Sequence, residues 1–338
     1  MTRTRRPVPI VAAVVALAAG ALMSIGAATA APSPSPKQAA VADDGAKVVA
    51  EKQIDTRTLD LEIQSPALGA NAKVRLLLPK GWMRGSSQTW PALWLLHGCC
   101  AVEDYESWTR YTDVAKFTED KPAIVVMPSA GKIGMYSEWW NYGLSAKPDW
   151  RAFHMTEVWQ ILQRGYGTGA KSSVAGLSMG GYGAMEYATR YPGRFGAAAS
   201  YSGAVDVLAP GIPEVTQLNM IAQGFPIWGV LWGDPWSQRA RWEDHDPAFK
   251  TDKLRGTKLY VSAGNGDTGP LDDPAGPPAA GGLLESVALS NSRGFTDKLT
   301  QNGVPVTVDW YGAGTHTWPY WQFALHRSWP ILASGMGI

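Results

Sequence analysis

Ser178 lies in a segment whose residue types and spacing suit nucleophilic catalysis. Residues 176–181 read GLSMGG and match the pattern G-x-S-x-G, with an apolar run at Ser172–Ala175 before it and a helix-type pattern starting near Tyr182. In that context a tight turn places the serine hydroxyl over the sheet edge, at a helix N-terminus whose dipole favours negative charge. Glycines are expected at 176 and 180 because side chains would clash there. The pattern predicts a serine nucleophile at 178.

A serine of this kind needs a general base, which in this pattern follows it in the chain. The sequence contains five histidines. His316 lies in the glycine-rich segment 312–318, directly after the last predicted strand, and is the predicted base. The patterns around His154, His245 and His326 place them at a helix start, in a charged loop and inside the terminal helix, where structural or solvated roles are expected.

Two carboxylates compete for the role of the acid that orients the base. Asp267 follows a predicted strand in the segment Gly264-Asn265-Gly266-Asp267, and Glu285 opens a long predicted helix. Either position lets a carboxylate face an imidazole. Spacing alone favours neither.

Other residues are predicted to shape the substrate pocket. His97 ends a strand at the catalytic edge, so we expect it to shape the oxyanion pocket and to contribute to substrate binding. Trp318, two residues after His316, is the preferred candidate for lining an acyl or sugar groove. Three further tryptophans flank the catalytic loops and are weaker candidates: Trp228, Trp232 and Trp321.

The two cysteines, Cys99 and Cys100, are neighbours in the chain. A disulfide between adjacent residues requires a strained ring and closes almost no loop, so it contributes little stability. We expect two small, partly buried thiols, with a vicinal disulfide as the alternative.

These residues need a scaffold, and the pattern of apolar runs predicts one. Eight candidate strands are Thr58–Ile63, Lys73–Leu78, Ala92–Leu96, Ala123–Met127, Ser172–Ala175, Ala197–Tyr201, Lys258–Ser262 and Val304–Trp310. Helix-type patterns lie at Thr109–Thr118, His154–Arg164, Tyr182–Tyr191, Leu283–Gln301 and Tyr320–Ala333. Their alternation predicts an α/β fold with a mainly parallel sheet covered on both faces. The first two strands are expected to form an antiparallel edge, and the Trp-rich segment 206–257 an insertion over the carboxyl edge.

Composition excludes several classes of protein. Of 338 residues, 45% are hydrophobic and 17% charged, which argues against a long disordered or coiled-coil chain. A net charge of +1 without a long basic run argues against a nucleic-acid-binding protein, because such proteins carry clusters of basic residues. No cluster of His, Asp and Glu stands at metal-ligand spacing in the sequence, so neither a metal nor another cofactor is expected.

The N-terminus is typical of an exported protein. Arg3, Arg5 and Arg6 precede an apolar run that ends at Ala28-Thr29-Ala30, so residues 1–30 are predicted to be a signal peptide; an uncleaved membrane anchor is the alternative. Residues 31–52 are predicted to be a flexible linker and residues 53–338 the catalytic domain. We therefore expect a protein secreted to the exterior or the cell wall.

Several ordered motifs together resemble one family. They are Leu95-Leu96-His97-Gly98, Asp104-Tyr105 with Trp108, Met127-Pro128, Tyr136-Ser137 with Trp139, Gly176-Leu177-Ser178-Met179, Asn265, Leu284-Glu285, and Gly314-Thr315-His316-Thr317-Trp318-Pro319-Tyr320-Trp321. From about Thr56 to Ala333 the chain resembles the actinobacterial mycolyltransferases, the antigen 85 proteins, and their esterase relatives.

The resemblance implies a fold and a set of roles. It implies an α/β-hydrolase fold with Ser178 as nucleophile, Glu285 as acid and His316 as base, and it favours Glu285 over Asp267. It also implies that the backbone N–H groups of Cys99 and Met179 form the oxyanion hole.

Two departures from the family pattern bear on the substrate. The family's trehalose-handling loop carries an aspartate where this chain has His97 and an arginine where it has Cys100. Because a site discriminates strongly for a hydroxyl only when its polar partners are present, trehalose specificity is not carried over. The prediction is a serine esterase or acyltransferase that acts on lipid or carbohydrate esters through a Ser-His-Glu triad and an acyl-enzyme. The expected substrate is a small-molecule, lipid or glycolipid ester, in association with the cell envelope. The alternatives are transfer to trehalose or a glycerolipid, and a catalytically silent glycan-binding homologue.

Overall fold

The computed structural model describes residues 40–100, 104–144 and 148–338. The predicted signal peptide at 1–30 and the first part of the predicted linker, residues 31–39, lie outside the described residues. Among the helices of the described part, none is both long and apolar enough to cross a membrane.

Nine strands in the described ranges form a single sheet, one more than predicted. Its order is β1-β2-β3-β5-β4-β6-β7-β8-β9. The strands are β1 Lys47–Gln53, β2 Thr58–Ser65, β3 Ala70–Leu77, β4 Trp90–Leu96, β5 Ile124–Pro128, β6 Thr168–Leu177, β7 Ala197–Tyr201, β8 Lys258–Ala263 and β9 Thr307–Trp310.

The strand that the sequence patterns missed is β1. Its residues are mostly exposed, because it is an edge strand of the sheet. It pairs with β2, antiparallel from Lys47 opposite Gln64 to Gln53 opposite Leu59. Backbone hydrogen bonds hold such a strand without an apolar face. The ordered sheet therefore begins inside the segment that was predicted to be a flexible linker.

The direction of the strands agrees with the prediction. Strands β1 to β3 and the β3–β5 pair are antiparallel, whereas β5, β4, β6, β7, β8 and β9 run parallel. Parallel strands end at the same edge of a sheet. The segments that follow β4, β6, β7, β8 and β9 therefore meet at one carboxyl edge, which is where such sheets bind ligands.

Helices cover both faces of this sheet. They are α1 Ser107–Tyr111, α2 Val114–Phe117, α3 Trp150–Ala152, α4 Trp159–Gly165, α5 Met179–Arg190, α6 Ile212–Ala222, α7 Arg239–Asp244, α8 Gly281–Gln301 and α9 Trp318–Met336. A π-helical stretch, Phe153–Val158, joins α3 to α4. The helix predicted at 109–118 is two short helices, and the one predicted at 154–164 begins earlier.

The alternation of side chains along the central strands builds two cores. In β4, Trp94 and Leu96 belong to the core beneath α4, α5 and α8, whereas Leu93 and Leu95 belong to the core beneath α1 and α9. All four are almost completely buried, as expected for a parallel strand that is covered on both faces.

The segment 206–257 is an insertion with its own aromatic packing. Trp232 and Trp242 are buried and meet edge to face, with ring centroids 5.0 Å apart. The Trp232 indole N–H donates to Ser137 Oγ at 3.0 Å, which attaches the insertion to the loop after β5. Trp232 is therefore a core residue, and the prediction that it lines a groove is wrong.

Candidate active site

Ser178 stands between β6 and α5 in a strained backbone conformation. Its φ of 52° and ψ of −119° lie outside the regions that most residues adopt. A Cβ atom added at Gly176 would lie 2.2 Å from the Gly180 carbonyl oxygen, and one at Gly180 would lie 2.4 Å from the Leu96 carbonyl oxygen. The glycines predicted at 176 and 180 are thus required by close backbone approach. The Ser178 side chain occupies a half-buried position at the carboxyl edge.

His316 and Glu285 meet directly. The imidazole Nδ1 of His316 lies 2.8 Å from Glu285 Oε2, and the carboxylate is fully buried. In the neutral imidazole that donates from Nδ1 to this carboxylate, Nε2 keeps a free lone pair. The backbone N–H of His316 also donates to the Gly281 carbonyl at 3.0 Å, which ties the His316 loop to the first turn of α8.

Asp267, the competing carboxylate, does not face the histidine. It is exposed, and its Oδ2 accepts a hydrogen bond from the Asn265 side chain at 2.7 Å while its backbone N–H donates to Asn265 Oδ1. The two residues close a local turn. The alternative that spacing left open is therefore decided for Glu285 as the partner of His316.

The second oxygen of Glu285 accepts three hydrogen bonds that the sequence patterns did not anticipate. The donors to Oε1 are the Ser202 hydroxyl at 2.8 Å, the Gly264 backbone N–H at 2.6 Å and the Tyr311 hydroxyl at 2.8 Å. The sequence contained one indication of these donors, because Ser202 and Tyr311 directly follow predicted strands. Their importance depends on where Glu285 lies, and sequence spacing does not give that position.

The loop after β4 lies against the serine. A Cβ atom added at Gly98 would come within 3.4 Å of Ser178 Cβ, so the next residue, Cys99, is close to the nucleophile. Met179 is the first residue of α5, and its N–H belongs to the first turn, where backbone donors have no intrahelical partner. Both predicted oxyanion-hole residues therefore lie beside Ser178.

Cys99 and Cys100 form a vicinal disulfide, which corrects the expectation of two free thiols. Cys100 has a φ of 77°, and its N–H donates to the Lys132 carbonyl at 2.6 Å. The backbone at this point is constrained both by the ring and by the loop after β5.

His97 is enclosed rather than open to a substrate. Its side chain is buried; Nδ1 donates to the Gly98 carbonyl at 2.7 Å and Nε2 accepts from the Ala130 N–H at 2.9 Å. Burial lowers the pKa of His97, which favours this neutral form. The arrangement suits the predicted shaping of the oxyanion loop. It offers no exposed surface for the predicted substrate contact.

Trp318 lies in an aromatic cluster beside His316. Its ring stacks on Tyr111 at 5.2 Å and meets Trp108 and Trp321 edge to face. Trp321 in turn presents its ring edge-on to His316, with centroids 4.9 Å apart. Trp321 is therefore the tryptophan in contact with the predicted base, and Trp318 packs behind it.

The other histidines after the predicted oxyanion loop have structural partners. His154 is buried between the Tyr187 hydroxyl and the Ser129 carbonyl, at 2.6 and 2.7 Å. His326 is partly exposed and bonds to Asp113 at 2.9 Å. Their assignment to structural roles agrees with these contacts.

His245, expected in a charged loop, is buried and stacks on Trp232. Among the described residues, it forms one group at metal-ligand spacing with Glu138 and Asp244, their ligand atoms lying within 4.8 Å of one another. The sequence did not reveal this convergence. Both carboxylates already pair with cations: Arg151 lies 2.6 Å from Glu138, and Arg190 lies 2.5 Å from Asp244. The group is part of an ionic network.

Comparison with known proteins identifies related sequences. The family model described as Esterase matches residues 65–331. Esterase Rv1288 of Mycobacterium tuberculosis is 30% identical over 265 residues, covering 77% of this chain and 56% of that protein. The chain thus spans about half the length of the first curated relatives it matches. The diacylglycerol acyltransferase/mycolyltransferase Ag85B of Mycobacterium intracellulare is 30% identical over 285 residues, covering 82% of this chain and 83% of that protein.

Solved structures share the fold. Mycobacterium tuberculosis MPT51 (FbpC1) is 25% identical with a TM-score of 0.66, covering 80% of this chain and 96% of that one. The Staphylococcus aureus serine hydrolase FphF superposes with a TM-score of 0.60 at 20% identity, covering 81% of this chain and 98% of that one. The α/β-hydrolase fold is therefore confirmed.

Proposed function

Because the chain belongs to the Esterase family, we propose that it cleaves carboxylic esters through an acyl-enzyme formed on Ser178. His316 is the general base and Glu285 the acid that orients it. The observation that carries the proposal is the 2.8 Å contact between His316 Nδ1 and Glu285 Oε2, which leaves Nε2 available to accept a proton.

The reaction runs in two halves. In the first, Ser178 Oγ bonds to the ester carbonyl carbon while His316 Nε2 takes the hydroxyl proton. The carbonyl oxygen gains negative charge and rests on the backbone N–H groups of Cys99 and Met179. When the carbonyl re-forms, the bond between the carbonyl carbon and the alkoxy oxygen breaks, and the imidazolium gives its proton to that oxygen, which leaves as the alcohol. In the second half, His316 Nε2 takes a proton from water or an alcohol as its oxygen bonds to the acyl carbon. The bond from that carbon to Ser178 Oγ then breaks, Oγ regains a proton from the imidazolium, and the acid or the new ester is released.

The acceptor decides between an esterase and an acyltransferase. A bound alcohol outcompetes water only when it is well oriented, because effective molarities of about 10⁵–10⁸ M require correct geometry. Here His97 is buried and Cys100 is engaged in a disulfide, so neither supplies a charged group for a sugar. We propose that hydrolysis dominates. Acyl transfer is the second candidate, favoured by the similarity to the acyltransferase/mycolyltransferase.

Covalent labelling tests the nucleophile. A fluorophosphonate probe reacts only with an activated serine, so the wild-type protein is expected to be labelled and the Ser178→Ala protein unlabelled. Ester turnover by Ser178→Ala should fall to the residual level of an oxyanion hole and binding, about 10³–10⁴ over water. Near wild-type turnover by Ser178→Ala would refute the assignment. An unlabelled wild-type protein that binds glycans would identify the silent homologue.

Product analysis tests the acceptor. The protein is incubated with p-nitrophenyl esters of graded chain length, with and without excess trehalose or glycerol, and the products are identified by mass spectrometry. Free acid as the main product supports hydrolysis. Predominantly acylated trehalose or glycerol would identify a transferase. The chain-length series also reports the preferred acyl group.

We also propose that residues 1–30 direct export and that the mature protein acts outside the cell or in the cell wall. The basis is the arginine-rich start and the apolar run that ends in Ala28-Thr29-Ala30. N-terminal sequencing of the protein recovered from the culture medium and from the cell envelope tests this. A mature chain that starts near Ala31 is expected. An intact N-terminus in the membrane fraction would identify an anchor instead.

A further inference from the structure

The carboxyl ends of three neighbouring strands converge on one carboxylate oxygen. Ser202 directly follows β7, Gly264 directly follows β8 and Tyr311 directly follows β9. These strands are adjacent and parallel in the sheet. Each thus delivers its first residue beyond the strand to the same edge, and each of these residues donates a hydrogen bond to Glu285 Oε1.

We propose that Ser202, Gly264 and Tyr311 form a cradle that positions Glu285, and that the hydroxyls of Ser202 and Tyr311 are positioning residues of the esterase reaction. This inference rests on the proposed function. The cradle holds Oε1 so that Oε2 remains directed at His316 Nδ1. With three donors on one oxygen and the imidazole on the other, the buried carboxylate has no freedom to rotate away from the base.

Tyr311 is held as a donor of fixed orientation. Its ring stacks on Tyr320, with centroids 5.5 Å apart and planes 6° apart. The ring also lies close to Gly264, where an added Cβ atom would lie 2.7 Å from Tyr311 Cε2. Burial and the negative charge of Glu285 raise the pKa of the Tyr311 phenol, so the hydroxyl keeps its proton.

Ser202 is equally constrained. Its φ of 50° lies in the left-handed region, and its backbone N–H donates to the Ser262 carbonyl at 2.8 Å. Its hydroxyl accepts from the Trp321 indole N–H at 3.2 Å, which directs the single hydroxyl proton toward Glu285. Because Trp321 also abuts the His316 ring, one side chain contacts both the cradle and the base.

The test compares two tyrosines that stack on each other. Tyr311→Phe removes a donor to Glu285, whereas the matched control Tyr320→Phe removes a hydroxyl that bonds to Asp272 at 3.1 Å. Steady-state kinetics on a p-nitrophenyl ester are measured with the Tm of each variant. We expect Tyr311→Phe to lower kcat by about 10-fold to 100-fold, the rate equivalent of one hydrogen bond to a charged group, with KM nearly unchanged. Tyr320→Phe should keep kcat near the wild-type value.

A spectroscopic measurement separates positioning from folding. The proton between His316 Nδ1 and Glu285 gives a low-field ¹H resonance, which we expect to shift in Tyr311→Phe and Ser202→Ala but not in Tyr320→Phe. If Tyr311→Phe fails to fold, Ser202→Ala carries the same test. Wild-type kcat together with an unshifted resonance in a folded cradle variant would overturn the inference, as would equal losses of kcat in both tyrosine variants.

The outcome for Ser178→Ala distinguishes this inference from the proposed function. An inactive Ser178→Ala protein alongside a fully active Tyr311→Phe protein overturns the cradle and leaves the esterase proposal intact. An active Ser178→Ala protein overturns the proposed function itself.

Discussion

The two sides of the candidate site are built in different ways. On the acid side, Glu285 meets His316 through side-chain atoms and is surrounded by donors from three strand ends. On the oxyanion side, the predicted groups are backbone N–H donors of Cys99 and Met179, and the side chains around them only shape the loop. Replacing a side chain should therefore lower activity directly on the acid side. On the oxyanion side, activity should fall when a substitution displaces the backbone.

The largest effect is expected on the acid side. Glu285→Gln should lower kcat by about 10⁴-fold, the loss found when the acid of a serine protease triad becomes its amide, because the wrong tautomer of the base is favoured. Asp267→Asn is the matched control, since Asp267 is exposed and its hydrogen bonds to described residues lie within its own turn. The kcat of Asp267→Asn should stay within about two-fold of the wild-type value, because surface substitutions away from special contacts have small effects. Steady-state kinetics check both, and the reverse ranking would return the acid role to Asp267.

Substitution of a glycine is the most direct way to displace the backbone on the oxyanion side. In Gly180→Ala the new Cβ would clash with the Leu96 and His97 carbonyl oxygens, at 2.4 and 2.6 Å, and push the loop away from Ser178. We expect kcat to fall about 10²–10³-fold, as when one oxyanion donor is removed. Gly294→Ala, in α8, is the control: apart from the backbone of its own helix and its chain neighbours, no atom of the described residues lies within 4 Å of the new Cβ. An active Gly180→Ala protein of unchanged Tm would show that the loop does not supply a donor.

We expect the unfolding free energy to depend on pH through a histidine near the oxyanion side. His154 holds the Ser129 carbonyl beside the loop, and burial lowers its pKa from 6.5 to about 3. The His154 imidazole therefore binds a proton below about pH 6.5 in the unfolded chain. In the folded chain it binds one only below about pH 3. The stability present at neutral pH is lost as pH falls through this window, by about 1.4 kcal/mol per pH unit at most.

Urea unfolding at about pH 7 and about pH 4.5 measures this loss. On going from about pH 7 to about pH 4.5, His154→Gln should lose less unfolding free energy than the wild type does, by on the order of 2 kcal/mol. Comparison with wild type is needed because burial raises the pKa of Glu157 to about 7 and that of Asp246 to about 8, and both carboxyl groups contribute the opposite slope. Equal slopes in wild type and His154→Gln would contradict the prediction.

The smallest effect is expected at the cysteines. If Cys99 acts through its backbone N–H, the Cys99→Ala/Cys100→Ala protein should keep kcat within a few-fold of wild type, since a disulfide between neighbours closes almost no loop. After reduction, a bulky thiol adduct on the wild-type chain should block the pocket. Activity assays of both proteins check this. Loss of activity in the double variant equal to that caused by the adduct would mean that the sulfur atoms themselves matter.

The tertiary structure added what spacing along the chain does not contain. Sequence patterns located eight of the nine strands but missed β1, because its pairing uses backbone groups and leaves its side chains exposed. Trp232 illustrates the converse error: its type and position suggested a groove, whereas packing against Trp242 and His245 places it in a core. A residue type does not reveal which neighbours will surround it.

The sequence by itself determined the serine turn, the loop that carries His316 and the mainly parallel sheet. These depend on local demands: glycines where the backbone approaches closely, and apolar runs where strands are covered on both faces. The family resemblance favoured Glu285 over Asp267, and the tertiary structure shows Glu285 in contact with His316. Only the tertiary structure brought Ser202, Gly264 and Tyr311 to one oxygen and enclosed His97. These contacts join residues far apart in the chain, and the order of strands in the sheet sets their distances.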